Sequence, residues 1–339
     1  MDSKYAIYIF LLGFSFILNS QTIKGKVIDA QTKEPLESVA IYFDNTTVGT
    51  TTDKAGIFSL NYNDAIVSGL IISYLGYETI MLSDYRQNTY QNIALRPSIN
   101  ELDEVVINED DGLTRKQKLR LFRREFLGES YNGNRCKILN EEDIYLRYFA
   151  EDKTLIASSS KPLIIVNKAL SYRLNYTMVD FKIEFSYVEL ENDVFNPENV
   201  GFAGTIFYED LEGDELKKSI SKRRLKTYKG SVQHFMRALF FDKLTEESYK
   251  IFYKGFIVKP EDYLKASKNI DSTLREVKID HKLNILFNKE IRSYIQPMED
   301  YFYVDQYGNH SPVNSVLFGG DMGRQRIGDI LPLDYGLSN

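Results

Sequence analysis

From Thr22 to Ile107, apolar and polar positions alternate in short runs with turn residues between them. TIKGKVID sets Ile23 and Val27 against polar neighbours, and VAIYF (39–43), GIFSLNY (56–62), LIISYLGYETIML (70–82), YQNIALR (90–96) and LDEVVI (102–107) follow. Period-two alternation bounded by Gly, Asp and Pro marks strands, and a series this closely spaced predicts a β-sandwich over residues 21–107. In the turn TTDKAG, Asp53 fits as a side chain that bonds nearby backbone, and Gly56 as a residue that tolerates positive φ. With no further acidic residues at alternate positions, Asp53 does not read as a calcium ligand.

The acidic NEDDG segment breaks the pattern, so residues 108–113 read as a linker and 114–339 as a second domain. Thr114 is placed to cap a helix, Gly128 to end it, and Leu119, Phe122 and Phe126 share its apolar stripe. Arg115, Lys116, Lys118, Arg120, Arg123 and Arg124 cover the rest of that helix, which suits a solvated face or an anionic surface. From 135 to 210 strand patterns return. Tyr172, Leu174, Tyr176 and Met178 fall on one face, and Arg173, Asn175 and Thr177 on the other, as in an antiparallel sheet with one wet side. Residues 214–241 read as a helical insertion, TEESYKIFYKG as a short third helix, and the remainder as strands and turns. The fold class is therefore mainly β: a sandwich followed by a β-rich α+β domain with a helical insertion.

Composition changes this picture little. Lys and Arg total 42 against 48 Asp and Glu, a formal net charge of −6, which argues against a general nucleic-acid binder. There are 24 Tyr and 21 Phe but no Trp, in keeping with abundant strand. The N-terminal MDSKYAIYIFLLGFSFILNSQ places Lys4 before an apolar run of about 14 residues, short of the roughly 20 that span a bilayer. It reads as a signal peptide over residues 1–20, cut after Ser20, so the chain is expected to be exported to the periplasm or the outer membrane with no span remaining. Cys136 is the single cysteine, so no internal disulfide is available, and no cysteine at the cut offers a lipid anchor.

The blocks G-K-V-I-D, T-K-E-P-L-E-S-V-A-I, G-T-T-T-D-K-A-G-I-F-S-L, I-S-Y-L-G-Y-E and L-D-E-V-V-I, in this order, resemble the carboxypeptidase-regulatory-like domain, a transthyretin-like sandwich common at the N-termini of exported Bacteroidetes proteins. The resemblance implies a structural or interaction module with no catalytic residues to carry over. It does not imply a peptidase. The three histidines stand in HFMR (234), HKLN (281) and HSPV (310), without the H-x-x-E or H-E-x-x-H that a zinc peptidase needs. The segment after Ile107 is also too short for the plug and barrel of a TonB-dependent receptor. C-K-I-L-N, L-I-A-S-S-S-K-P-L-I-I-V-N-K-A-L-S-Y-R-L-N-Y and Y-K-G-S-V-Q-H-F-M-R-A-L resemble the C-terminal part of exported Bacteroidetes proteins with the same front domain.

Candidate chemistry gathers in TYKGSVQHFMRAL (227–239). Ser231 sits where a helix N-cap is expected, which commits its hydroxyl to backbone, and it lacks the G-x-S-x-G elbow. Val232, Phe235, Met236 and Leu239 form an apolar stripe, while His234 and Arg237 share another face, where the guanidinium would favour a neutral imidazole. Glycines 319, 320, 323 and 328 match no G-x-G-x-x-G or P-loop, so they read as tight turns and no cofactor is expected. The leading expectation is a non-catalytic binding or assembly module whose binding face is His234 and Arg237 with Lys222, Arg223 and Arg224, taking an envelope protein or glycan. A hydrolase using His234 with Cys136 or Ser231 is the alternative, and it requires a nucleophile within about 5 Å of the imidazole. A third reading, adhesion to an anionic glycan or lipopolysaccharide, requires residues 115–124 and 217–229 to form one basic patch.

Overall fold

The computed structural model describes residues 20–63, 66, 68–88, 90–98, 111–213, 216–267 and 273–337. Residues 1–19 of the signal segment, the LDEVVI strand and the first half of the linker lie outside these residues. The protein is mainly β, a sandwich followed by a β-rich α+β region, with three hydrophobic cores.

The sandwich is built from β1 (Ser20–Asp29), β2 (Ala40–Phe43), β3 (Gly49–Thr51), β4 (Ile57–Asn63), β5 (Leu70–Ser73), β6 (Ile80–Leu82) and β7 (Tyr90–Leu95). One sheet runs β4-β1-β7, with β1 and β7 parallel, and the other runs β3-β2-β5-β6. Alternation along β4 sends Phe58, Leu60 and Tyr62 inward, where Tyr62 and Phe43 meet Tyr85 edge-on. Asp53 makes the local turn its position calls for: its Oδ1 accepts the backbone N–H groups of Ala55 and Ile57.

The second core belongs to β8 (Cys136–Ile138), β9 (Ile144–Phe149), β10 (Thr154–Ser159), β11 (Leu163–Asn167), β12 (Tyr172–Glu189) and β13 (Val194–Asp210), one antiparallel sheet in which β12 and β13 form a long hairpin. Helix α1 (Arg115–Leu127) covers it. Thr114 and Gln117 form a reciprocal capping box, and Gly128 ends the helix. Phe122 and Phe126 stack at 4.9 Å and meet Phe181 and Tyr176 edge-on beneath the sheet. Each such ring, fully buried, contributes about 1.5–3 kcal/mol.

The third core lies under helix α3 (Val232–Phe240), which follows α2 (Lys218–Tyr228). Two small sheets enclose it. One runs β15-β14-β18-β19-β22 and the other β16-β17-β20-β21, from β14 (Tyr249–Tyr253), β15 (Phe256–Val258), β16 (Lys265–Ala266), β17 (Leu274–Lys278), β18 (Leu283–Phe287), β19 (Ile291–Pro297), β20 (Phe302–Asp305), β21 (His310–Ser311) and β22 (Val316–Gly320). The helix expected in TEESYKIFYKG does not form. Ser248 takes a φ of +67° and the chain enters β14, whose Tyr249 and Ile251 are buried in register with Phe287 and Ile285 of β18. Gly319 is likewise not in a turn: it lies inside β22, where an added Cβ would meet the Tyr294 ring at 2.0 Å.

The sandwich is joined to the rest by its 44–47 loop. Asn45 N–H donates to Ile206 O at 2.8 Å, and Tyr208 N–H donates to Thr46 O at 3.0 Å, so the loop pairs with β13. Asp44 Oδ1 accepts Ile206 N–H at 2.8 Å, and Leu333 N–H donates to Asn45 O at 2.6 Å. Asp334 accepts from both the backbone and the hydroxyl of Thr47. Tyr307, Leu333 and Leu337 complete the sandwich core from outside the sandwich.

Candidate functional site

The α2–α3 junction is laid down by Gly230 and Ser231. Gly230 holds a φ of +83°, and a Cβ there would meet Ile291 Cδ1 at 2.7 Å, so only glycine turns the chain at this point. Ser231 is the N-cap, its Oγ accepting His234 N–H at 3.0 Å. The apolar stripe then falls inward with Phe235, Met236 and Leu239.

His234 is only 2% exposed. Its Nδ1 accepts the Gly230 N–H at 3.1 Å and faces the Tyr249 hydroxyl at 2.8 Å. A backbone N–H can only donate, so the ring hydrogen sits on Nε2, which reaches Glu247 Oε2 at 3.0 Å. Lys229 Nζ holds the same carboxylate at 2.6 Å. Burial, with the nearby Lys229 and Arg237 charges, pushes the imidazole down to about 4, against the pull of Glu247. The result is a neutral, buried imidazole set between the buried Tyr249 hydroxyl and the partly exposed Glu247 carboxylate, which Lys229 holds below its ordinary value.

Neither expected nucleophile pairs with this ring. The Ser231 hydroxyl is spent on the helix end. Cys136 Sγ bonds Asn132 O at 3.5 Å, and burial pushes its thiol up to about 12, so it is not a thiolate at neutral pH. Tyr249 and Glu247, the partners His234 does have, were absent from the sequence reading, because the turn before β14 brings them back from outside the motif.

Arg237 turns away from His234. Its guanidinium collects three backbone carbonyls: Tyr307 O at 3.0 Å, Tyr335 O at 2.8 Å and Leu333 O at 2.5 Å. Gln233 Nε2 adds Pro332 O at 3.1 Å. Residues 332–335 are thus pinned between α3 and the sandwich. Arg224, 3% exposed, bonds Leu170 O and Ser171 O and grips both oxygens of Asp210 at 2.7 and 2.9 Å. Arg223 donates to Ala169 O, and Lys222 is exposed. The five residues expected to form one binding face therefore point four ways: His234 and Arg224 into separate interiors, Arg237 at the C-terminal segment, and Lys222 and part of Arg223 to solvent.

An open cleft of about 500 Å³ lies beside the junction, between α1, Lys226–Ser231 and residues 321–329. Its charges largely cancel. Glu125 holds Arg124 at 2.7 Å and Arg326 at 3.9 Å, and Asp321 holds Arg324 at 3.3 Å. Asp329 accepts from Ser130 and Asn132, and burial raises its carboxyl. Among the described residues no three His, Cys, Asp or Glu side chains gather to hold a metal ion, and no helix is long and apolar enough to cross a membrane.

No curated protein matches the chain. Among solved structures, a 9R-lipoxygenase from Cyanothece is 8% identical, with 65% of this chain and 48% of that one covered at a TM-score of 0.20. A membrane-associated protein of unknown function from Bacteroides fragilis is 11% identical over 84% of this chain and 93% of that one, at a TM-score of 0.18. The chain spans about half of the lipoxygenase, and likenesses this weak carry no argument. Residues 23–107 match the model of the CarboxypepD_reg-like domain family, a non-catalytic regulatory type of domain, so the sandwich at the front of this chain is similar to that domain.

Proposed function

We propose that the chain is a non-catalytic binding or assembly component of the bacterial cell envelope, exported through its N-terminal segment to the periplasm or the outer membrane. The observation that carries this reading is the state of His234: its ring nitrogens are engaged by Gly230, Tyr249, Glu247 and Lys229, and neither Ser231 nor Cys136 bonds the ring. The front domain adds a non-catalytic module, seated against the second region by the 44–47 loop.

The test is capture from a bacterial envelope fraction with the full mature chain, run beside labelling by a fluorophosphonate and by iodoacetamide at pH 7.5. The reading predicts a defined co-purifying envelope protein or glycan and no labelling of Ser231 or Cys136. Labelling of either residue that disappears in His234→Ala, together with turnover of an ester or peptide, would establish the hydrolase instead.

A further inference from the structure

Helix α1 has four of its six basic side chains ion-paired, leaving Lys116 exposed and Arg115 on neutral carbonyls. Lys118 pairs with Asp111, Arg120 with Asp193, Arg123 with Glu141 and Arg124 with Glu125, and Arg115 donates to the carbonyls of Ile144 and Glu141. The anionic surface that suited this helix would have to break those pairs.

Helix α2 is different. Lys218, Lys222 and Lys226 recur every fourth residue, so they form one exposed stripe with neighbours about 5–6 Å apart. Beside the stripe stands Tyr131, whose ring has the Arg135 guanidinium at 3.6 Å and the Arg223 guanidinium at 5.3 Å from its centre. Both arginines are tethered by one hydrogen bond to a carbonyl, Arg135 to Tyr131 O at 3.3 Å and Arg223 to Ala169 O. Their remaining N–H edges are oriented and available, the geometry that suits bidentate recognition of a carboxylate, sulfate or phosphate. Lys168 joins them, its backbone bonded to Arg135 O at 3.3 Å. The two pieces are fixed together, since Asn132 Nδ2 donates to Thr227 Oγ1 at 2.9 Å.

Among the described residues, none of these six cations has a carboxylate within ion-pair distance. Three acids of the same region are engaged elsewhere: Asp210 by Arg224, Glu212 by Ser171 and Lys217, and Asp329 by Ser130 and Asn132. An overall negative chain thus carries here, among the described residues, an unpaired positive track about two helical turns long with an arginine clip at its side.

We propose that this track, Lys218–Lys222–Lys226 with Arg135 and Arg223 held around Tyr131, binds an extended anionic polysaccharide. A chain of repeating acidic groups matches repeating single cations and an oriented guanidinium pair. The proposal deepens the binding role above by naming a surface and a ligand class, and it leaves open the case of a protein partner bound elsewhere.

The test is fluorescence titration of the full mature chain with a labelled heparin dodecasaccharide and with labelled polygalacturonate, at rising NaCl. Sedimentation with phosphatidylglycerol/phosphatidylcholine vesicles is the comparison. Binding of either glycan is expected to weaken with salt. K218E/K222E/K226E should cut affinity at least about tenfold and lower the log–log salt slope by roughly 2–3, as counterion release from a polyanion requires. R135A should weaken binding with an unchanged melting curve, and the pair-swapped R120D/D193R should bind as wild type. Unchanged affinity in the triple lysine variant, or binding to the vesicles but to neither glycan, overturns the proposal. Capture of an envelope protein with no glycan binding overturns it as well, while sustaining the broader binding role.

Discussion

At the scale of single residues, burial decides the chemistry. His234 is held neutral by its surroundings, so an NMR titration should find its imidazole midpoint near 4, well below the ordinary value of 6.5. Because protonation is disfavoured in the fold, the contribution of this ring to stability is whole above about 6.5 and is lost as pH falls towards 4. A midpoint near 6.5 would show the ring to be solvated. Asp305 behaves in the opposite sense. Burial raises its carboxyl to about 7, although Oδ1 accepts the backbone N–H groups of Tyr307 and Asn309 at 2.9 Å each. Ionising it costs stability as pH rises from about 4 through 7. Asp305→Asn keeps an acceptor in place, so its melting temperature should gain on wild type between pH 5 and pH 8, and an unchanged difference would contradict this. The capping role of Ser231 was readable because a cap is a matter of local spacing. Tyr249, Glu247 and the Tyr131 clip were not, since distant segments deliver them.

At the scale of elements, α3 carries the third core and its start is the sensitive point. Ser231→Ala removes one cap and should cost about 1 kcal/mol in chemical denaturation. Gly230→Ala must hold a non-glycine residue at positive φ and push Cβ into Ile291 and Phe287, so it should cost more, about 2–4 kcal/mol. The reverse order would show that the junction relaxes. The long strands of the second core and both principal helices were legible, because their patterns match one period over many residues. TEESYKIFYKG was misread because its Glu, Tyr and Lys residues tolerate a helix, whereas pairing with β18 decides the matter and is non-local. Gly319 was misread for a related reason: close packing on Tyr294 requires a glycine as strictly as a turn does, and sequence alone does not separate the two.

At the scale of the whole molecule, the sandwich and the β-rich region meet through backbone and side chains together. The 44–47 loop pairs with β13 and with Leu333, Asp44 and Asp334 bond across the junction and Tyr42 packs on Phe207; these partners lie far apart in the chain, so the sequence offered a linker and no interface. Arg237 is the key to that junction. It was singled out in the sequence as a binding residue, and in the structure it binds the protein's own chain, fastening Tyr307, Leu333 and Tyr335 where the two regions meet. Removing it would take the donor from Tyr335 O and leave Leu333 O and Tyr307 O only the longer Gln233 Nε2 contacts, at 3.3 and 3.5 Å, and should cost about 1–3 kcal/mol.

Calorimetry of the chain and its Arg237→Ala variant tests the central claim, that the Ser231–His234–Arg237 segment holds the molecule together rather than acting on a substrate. Wild type should melt in one transition spanning both regions, and the variant should melt at lower temperature with the sandwich separating as its own transition. A variant that melts like wild type but no longer processes a substrate would contradict the account.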